Sequence, residues 1–203
     1  MCVDILSEYD RDIKNLYLTY NQKNNRRKER TTMEERTGIV TMRGNPMTLV
    51  GKGLTIGDKS PDFEVLNNDL QPVKLSAYKG KICIISAVPS LDTPICDLQT
   101  RRFNKEAAAL SADTVILTLS VDLPFAQKRW CGAAGADKVV TLSDHRDVSF
   151  GQAFGILIKE LRLLARAVFV VDKEGIIRHA QIVGEIAQEP DYDAVLKAVK
   201  QLV

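Results

Sequence analysis

An apolar run, a helical segment and a second apolar run follow one another in the middle of the chain, and this order restricts the fold more than any other feature. The first run is Lys81-Ile-Cys-Ile-Ile-Ser-Ala-Val88, rich in β-branched residues and bounded by Gly80 and Pro89, as is typical of a buried strand. A helical segment at about 94–110 and an apolar run at 114–120 come next. Because a strand–helix–strand unit favours a parallel pair with a crossover helix, we predict an α/β fold.

Further elements extend this unit on both sides. Two short apolar segments around Gly44-Asn-Pro46 predict an N-terminal β-hairpin. The other expected elements are short extended segments at 58–66 and 73–75, a helix from Pro124, a strand at 138–142, a short helix at 149–154, paired strands at 166–172 and 176–183, and a final helix from Pro190. This pattern predicts a central mixed sheet flanked by helices on both faces, the arrangement of the thioredoxin-like fold.

The first part of the chain differs in composition from the rest. The segment Asn21-Gln-Lys-Asn-Asn-Arg-Arg-Lys-Glu-Arg30 is polar and basic and has little apolar surface to bury. We therefore expect residues 1–36 to form a disordered or loosely helical extension before a single domain at 37–203. The alternative is that translation starts at Met33 and that residues 1–32 are a start-site artefact.

Composition limits the classes of partner and compartment. The 203 residues are 45% hydrophobic, which suits one domain with a sizeable core. Because 28 basic residues nearly balance 26 acidic ones, we expect neither a nucleic acid nor a membrane as partner. The sequence contains no long apolar span and its start does not resemble a signal peptide, so we expect a cytoplasmic protein.

The four cysteines differ in their surroundings. Cys2 lies in the polar extension, and Cys83 lies within the apolar strand, where a cysteine acts as a small apolar side chain. Cys96 and Cys131 lie near helix ends among polar residues, so either could be exposed. No Cys-x-x-Cys pair is present and the two histidines are far apart in the sequence, so we expect no metal and no cofactor.

Cys96 occupies the most reactive position of the four. Thr93 can serve as N-cap and Pro94 as the first helical residue, which places Cys96 in the first turn of the helix. Free backbone N–H groups and the positive end of the helix dipole favour an anion there. The sequence therefore predicts that Cys96 is a thiolate nucleophile.

This segment also resembles a known family. Pro89-Ser-Leu-Asp-Thr-Pro-Ile-Cys96 matches Pro-x-x-x-Thr-x-x-Cys, the peroxidatic motif of peroxiredoxins. The wider context, from about residue 38 to residue 203, is similar to bacterial thiol peroxidases, the atypical two-cysteine branch. That likeness is carried by Asp97-Leu-Gln-Thr-Arg-Arg-Phe-Asn104, Asp122-Leu-Pro-Phe-Ala-Gln127 and Trp130-Cys-Gly132.

The resemblance implies a role for five residues. Cys96 would be the peroxidatic cysteine and Cys131 the resolving one, joined by an intrachain disulfide during turnover. Thr93 would hydrogen-bond the thiolate and the peroxide, Pro89 would shield the pocket from water, and Arg166 would be the active-site arginine. The implied activity is reduction of hydrogen peroxide and organic hydroperoxides to water and alcohols, with thioredoxin as reductant.

The resemblance also implies a homodimer formed near the active site, a part in antioxidant defence and a preference for bulkier organic or lipid hydroperoxides.

The chemistry of peroxide cleavage agrees with these roles. A thiolate attacks one oxygen while the departing oxygen gains negative charge, so Arg166 can stabilise both ends of the reaction. Asp97 would oppose a neighbouring thiolate, so we predict that its side chain points away from Cys96. A disulfide needs Cα atoms within about 7 Å, so we expect local unwinding around Cys96 or Cys131.

Two other functions remain open at this stage. One is a one-cysteine peroxidase in which Cys131 is inert, and the other is a redox sensor whose oxidised form binds a regulator. A purely structural protein is the third alternative. Of the other residues, Trp130 is expected in the core or in a pocket wall, while His145 and His179 are expected to be solvated.

Overall fold

The computed structural model describes residues 33–203, so the prediction for residues 1–32 lies outside the described part of the chain. Its strands are β1 (Glu35–Met42), β2 (Asn45–Val50), β3 (Glu64–Leu66), β4 (Pro72–Lys74), β5 (Ile82–Ala87), β6 (Thr114–Ser120), β7 (Val140–Ser143), β8 (Leu157–Ile158), β9 (Leu163–Leu164), β10 (Ala167–Val171) and β11 (Ile177–Ile182). Its α-helices are α1 (Pro94–Glu106), α2 (Pro124–Ala134), α3 (Ser149–Ala153) and α4 (Tyr192–Lys200). Short 3₁₀ turns lie at Leu75–Tyr78 and Ala107–Ala109.

A seven-stranded mixed sheet forms the centre of the fold, in the order β11-β10-β5-β6-β7-β3-β4. Strands β5, β6 and β7 are parallel, joined by the crossover helices α1 and α2, and the other pairs are antiparallel. All six residues of β5 are buried, as expected for a strand that is covered on both faces. The predicted thioredoxin-like fold is confirmed.

Alternate residues of the central strands face two separate apolar layers. Ile82 and Ile84 of β5 pack in a layer with residues of α1, α2 and α4. Cys83 and Ile85 face the opposite layer, where α3 and the N-terminal hairpin pack. Cys83 and the helix that carries Cys96 therefore lie on opposite sides of the sheet.

The predicted N-terminal hairpin is confirmed, with two differences in detail. Its turn is Arg43-Gly44, with φ of 54° and 78°, and Asn45 already pairs with Met42. Positive φ at both central residues is what a two-residue type I′ turn requires. Strand β1 begins at Glu35, two residues before the expected domain start at 37.

The hairpin also belongs to a second sheet that the sequence did not predict. This sheet has the order β1-β2-β8-β9, and all of its pairs are antiparallel. Strands β8 and β9 have two residues each, which is too short for any period in the sequence to be recognised. The loop that contains them leads directly to Arg166.

The segment after β11 is bound to the hairpin turn. Thr41 N–H donates to the Gly184 carbonyl at 2.7 Å, and Ile186 N–H donates to the Thr41 carbonyl at 2.9 Å. The Glu185 carboxylate accepts from the N–H groups of Arg43 and Gly44 at 3.0 and 3.1 Å. This attachment fixes the backbone at Ile186, which contacts the candidate site.

The last helix begins at Tyr192 rather than at the predicted Pro190, because Asp191 caps it by accepting from Ala194 N–H at 2.9 Å. Within residues 33–203, no helix has the length and apolar character needed to cross a membrane.

Candidate active site

The loop between β5 and α1 sets the start of the helix that carries Cys96. Thr93 has extended backbone angles, φ −106° and ψ 146°, and Pro94 is the first helical residue, as predicted. The Thr93 hydroxyl, however, donates to the Ser90 carbonyl at 2.9 Å and makes no capping bond to the helix. The hydroxyl proton of Thr93 thus faces Ser90 in this geometry, and a hydrogen bond from Thr93 to the Cys96 thiolate and the peroxide stays a prediction.

Arg166 and Cys96 come together in the interior of the protein. Arg166 Nη2 donates to Cys96 Sγ at 3.3 Å. Cys96 is 0% exposed and Arg166 is 2% exposed, so the expectation that Cys96 could be exposed is wrong. Its side chain belongs to the apolar layer that also contains Phe103 and Trp130.

The guanidinium of Arg166 has a partner at each of its three nitrogens. Nε donates to the Ile186 carbonyl at 2.8 Å, and Nη1 donates to Gln99 Oε1 at 2.6 Å. Among residues 33–203, no carboxylate lies within ion-pair distance of this group. An uncompensated buried charge is costly, and of the three partners of this guanidinium only the Cys96 sulfur belongs to an ionisable group.

Gln99 is a site residue that the sequence reasoning missed. It is 0% exposed, and while its Oε1 accepts from Arg166, its Nε2 donates to Ser86 Oγ at 2.8 Å. These two bonds fix the amide and hold the guanidinium between α1 and β5. The available signal was spacing, because Gln99 lies three residues after Cys96 and therefore on the same helix face.

Asp122 holds the loop that begins with Pro89. Its carboxylate accepts from Ser90 Oγ at 2.7 Å and from Leu91 N–H at 2.8 Å. Pro89 is buried and lies two residues after the end of β5. Because the Ser90 carbonyl takes the Thr93 proton, Asp122 orients Thr93 through Ser90. In the sequence, Asp122 is noted only as part of a segment similar to thiol peroxidases, and its contact with this loop was not predicted.

Cys131 lies in the last turn of α2 and is partly buried. Its sulfur lies 3.3 Å from Thr141 Oγ1, and its side chain packs against the same apolar layer as Cys96. Within the described residues Cys83, Cys96 and Cys131 are all free thiols. Cys96 and Cys131, the proposed disulfide partners, thus pack in the same apolar layer and are not bonded to each other.

The side chain of Asp97 turns away from Cys96, as predicted. Its carboxylate accepts from Trp130 Nε1 at 3.0 Å and from Arg101 Nε at 2.9 Å. Trp130 itself is a core residue, 8% exposed. The negative charge of Asp97 is therefore paired with Arg101 and not directed at Cys96.

The other candidate groups have structural surroundings. Cys83 is buried within β5, and this burial raises the pKa of its thiol to about 11, as expected for a structural cysteine. The prediction that His179 is solvated is wrong, because it is half-buried and desolvation lowers its pKa. His145, also half-buried, has Nδ1 2.9 Å from Ser143 Oγ. Over residues 33–203, the structure brings together no His, Cys, Asp and Glu cluster that could bind a metal ion.

The chain is similar to known proteins over most of its length. The Redoxin family model matches residues 55–196. The chain is 57% identical over 164 residues to a thiol peroxidase of Bacillus subtilis, covering 81% of this chain and 98% of that protein. It is 54% identical over 162 residues to a thiol peroxidase of Listeria innocua, covering 80% of this chain and 98% of that protein.

Solved structures show the same fold. A peroxiredoxin-like protein from Aquifex aeolicus superposes with a TM-score of 0.77 at 42% identity, covering 84% of this chain and 99% of that one. A thiol peroxidase from Chromobacterium violaceum, 19% identical, superposes with a TM-score of 0.72 over 80% of this chain and 95% of that one, and shows the fold alone. The chain therefore belongs to the Redoxin family and, within it, to the bacterial thiol peroxidases.

Proposed function

We propose that this peroxidase reduces hydroperoxides with Cys96 as the attacking thiolate and Cys131 as the thiol that resolves the oxidised intermediate. The observation that carries the proposal is the 3.3 Å contact between Arg166 Nη2 and Cys96 Sγ, made by a buried guanidinium. Such a group stabilises negative charge on sulfur before the reaction and on oxygen during it.

In the first step the Cys96 thiolate attacks the terminal oxygen of the hydroperoxide. A sulfur–oxygen bond forms, the oxygen–oxygen bond breaks, and the departing alkoxide or hydroxide takes a proton to leave as alcohol or water. The sulfur is oxidised by two electrons to a sulfenic acid. The Thr93 oxygen, whose proton is held by Ser90, presents lone pairs that can accept from a peroxide O–H group.

Pro89 is buried at the end of β5 and has no N–H to attract solvent. We assign to it the exclusion of water from this side of the sulfur, which strengthens the effect of Arg166 on developing charge.

In the second step the Cys131 thiol attacks the sulfenic sulfur, a disulfide forms and water leaves. A dithiol reductant then returns both cysteines to thiols by exchange, and we propose thioredoxin in this role. Reducing compartments keep a dithiol reductant in its reduced form, and we propose that the cycle runs in the cytoplasm.

The test is turnover of hydrogen peroxide and cumene hydroperoxide with thioredoxin, thioredoxin reductase and NADPH. We expect Cys96→Ser to abolish the reaction with either substrate. Cys131→Ser should still reduce one equivalent of peroxide but lose sustained turnover. Unchanged sustained turnover in Cys131→Ser would establish the one-cysteine mechanism instead, and a slow reaction of Cys96 with peroxide in stopped flow would favour the redox sensor.

A further inference from the structure

Three side chains connect the segment after Cys96 to the segment around Cys131. Trp130 Nε1 and Arg101 Nε both donate to the Asp97 carboxylate, at 3.0 and 2.9 Å. Arg101 Nη1 also donates to the Ala134 carbonyl at the end of α2, at 3.0 Å. We call Asp97, Arg101 and Trp130 the clasp.

The clasp combines a buried donor with a charged acceptor. Trp130 is 8% exposed. Its indole nitrogen can donate a hydrogen bond but cannot accept one, and the Asp97 carboxylate is its acceptor. The Arg101 guanidinium carbon lies 5.7 Å from the centre of the Trp130 ring, so the cation also covers the indole. Because hydrogen bonds to charged groups are among the stronger ones, this contact resists separation of α1 and α2.

The position of the clasp relates it to both cysteines at once. Asp97 follows Cys96 directly, and Trp130 directly precedes Cys131. The Cys96 sulfur contacts Arg166, the Cys131 sulfur contacts Thr141, and the two thiols are not bonded to each other. A disulfide between them therefore requires at least one of the two segments to leave its place. Neither segment can move far from the other while the Asp97–Trp130 bond is intact.

We infer that the clasp sets the rate of disulfide formation, by holding both segments in the packed arrangement in which Cys96 reacts with peroxide. Its three members are positioning residues, because the hydrogen bond to the Cys96 sulfur comes from Arg166 and not from any of them. This inference rests on the proposed two-cysteine cycle. It implies a competition, since a sulfenic acid that waits for release of the clasp is exposed to a second peroxide molecule, which oxidises it to sulfinic acid with loss of water or alcohol.

The test compares two loosened variants with a matched control. Trp130→Phe keeps the ring and removes the N–H, and Arg101→Gln removes the cation. The control is Arg102→Gln, because Arg102 is as exposed as Arg101, 48% for each side chain, and pairs with Glu106 within α1 rather than with α2. Rapid acid quench, alkylation and mass spectrometry give the rates of sulfenate and disulfide formation after mixing with hydrogen peroxide.

We expect sulfenate formation to change by less than about twofold in all three variants. Disulfide formation should rise about three- to tenfold in Trp130→Phe and Arg101→Gln, the effect of losing one typical intramolecular hydrogen bond. The sulfinic fraction under excess peroxide should fall in parallel, and Arg102→Gln should match the wild type. Trp130 is the only tryptophan of the chain, so its fluorescence in the wild type should change with disulfide formation and not with sulfenate formation.

Unchanged or slower disulfide formation in both loosened variants would overturn the inference, as would tryptophan emission that stays constant while the disulfide forms. Arg101 is half-exposed, so Arg101→Gln provides this comparison even if Trp130→Phe is too unstable to purify. If the wild type forms no Cys96–Cys131 disulfide at all, the proposed function fails. If the wild type forms the disulfide but the loosened variants form it no faster, only the inference about the clasp fails.

Discussion

At the scale of single residues, the most informative feature is a buried arginine whose partners are neutral groups and a sulfur. Arg166 donates to a carbonyl, an amide oxygen and Cys96 Sγ. An arginine placed only for stability would be expected to pair with a carboxylate when buried. Its placement against Cys96 therefore indicates a functional role for the positive charge. The planar guanidinium can donate hydrogen bonds to all three partners at once, because its nitrogens point in different directions.

Replacing Arg166 with lysine tests this role, because the charge stays while the planar guanidinium is lost. We expect the reaction of Cys96 with peroxide to slow by about 10²–10³-fold, the range for removal of one preorganised donor. Stopped-flow mixing with hydrogen peroxide measures the rate. Arg162→Lys is the control, since Arg162 is exposed and its guanidinium donates to the backbone carbonyls of His145 and Arg146. A rate in Arg166→Lys within threefold of the wild type would contradict the assigned role.

Cys83 provides a contrast at the same scale. Its pKa of about 11 and its place within β5 predict a thiol that does not react at neutral pH. At pH 8 we expect iodoacetamide to modify Cys83 at least about tenfold more slowly in the folded protein than in urea. Cys83→Ala should retain peroxide turnover. Rapid native labelling of Cys83, measured by peptide mass spectrometry, would show that the strand opens far more readily than the packing indicates.

At the scale of elements, the N-terminal hairpin supports the site from the opposite side of the sheet. Its turn binds Glu185, and Thr41 pairs with Gly184 and Ile186. The Ile186 carbonyl in turn accepts from Arg166 Nε. The hairpin thus fixes one of the three contacts that orient the Arg166 guanidinium, although the hairpin lies more than a hundred residues before Arg166 in the sequence.

Glu185 makes this connection dependent on pH. Hydrogen bonds from the Gly44, Ala187 and Arg43 N–H groups, and then from the Thr41 hydroxyl, lower the pKa of Glu185 to about 2 from a usual 4.5. A lowered pKa in the folded state stabilises the protein above about pH 4.5, and this stabilisation is lost as the pH falls toward 2.

We therefore expect Glu185→Gln to be less stable than the wild type at pH 7, with the difference shrinking between pH 4.5 and pH 2. Urea denaturation across this range measures the free energy of unfolding of both proteins. Glu174→Gln, on an exposed turn, is the control. A stability difference that stays constant down to pH 2.5 would contradict the assignment of the low pKa to Glu185.

The elements were predicted from the sequence more completely than their contacts. Strands β5 and β6 and the start of α1 at Pro94 agree with the predicted boundaries, because long apolar runs and a proline after an N-cap are strong local signals. The contacts of Gln99, Asp122 and Glu185 depend on residues distant in sequence. Local patterns carry no information on which carbonyl takes the Thr93 proton or which loop the hairpin binds. Strands β8 and β9 were not predicted because two residues are too few to show a period in the sequence.

At the scale of the whole molecule, exposed apolar side chains lie beside the active-site loop. Leu123 and Phe125 are 53% and 64% exposed, and they follow Asp122, which binds that loop. Exposed large apolar residues that cluster near a site commonly belong to an interface. The family resemblance implies a homodimer formed near the active site, and this surface is the one we propose for it.

Phe125→Glu should dissociate such a dimer, because the added carboxylate would be buried without a partner at the interface. Light scattering after size-exclusion chromatography measures the mass, and we expect a dimer for the wild type and a monomer for the variant. Ile56→Glu is the matched control, since Ile56 is 65% exposed in the loop before β3. Equal masses for the wild type and Phe125→Glu would exclude this surface.

The central claim, that Cys96 is oxidised first and Cys131 resolves it, is tested most directly by intact-mass and peptide mass spectrometry after one equivalent of hydrogen peroxide. We expect the wild type to lose two hydrogens and to show a single crosslink between Cys96 and Cys131. Cys131→Ser should carry a sulfenic acid at Cys96 that dimedone traps, and Cys96→Ser should remain reduced. A sulfenic acid at Cys131, or a crosslink that includes Cys83, would contradict the account.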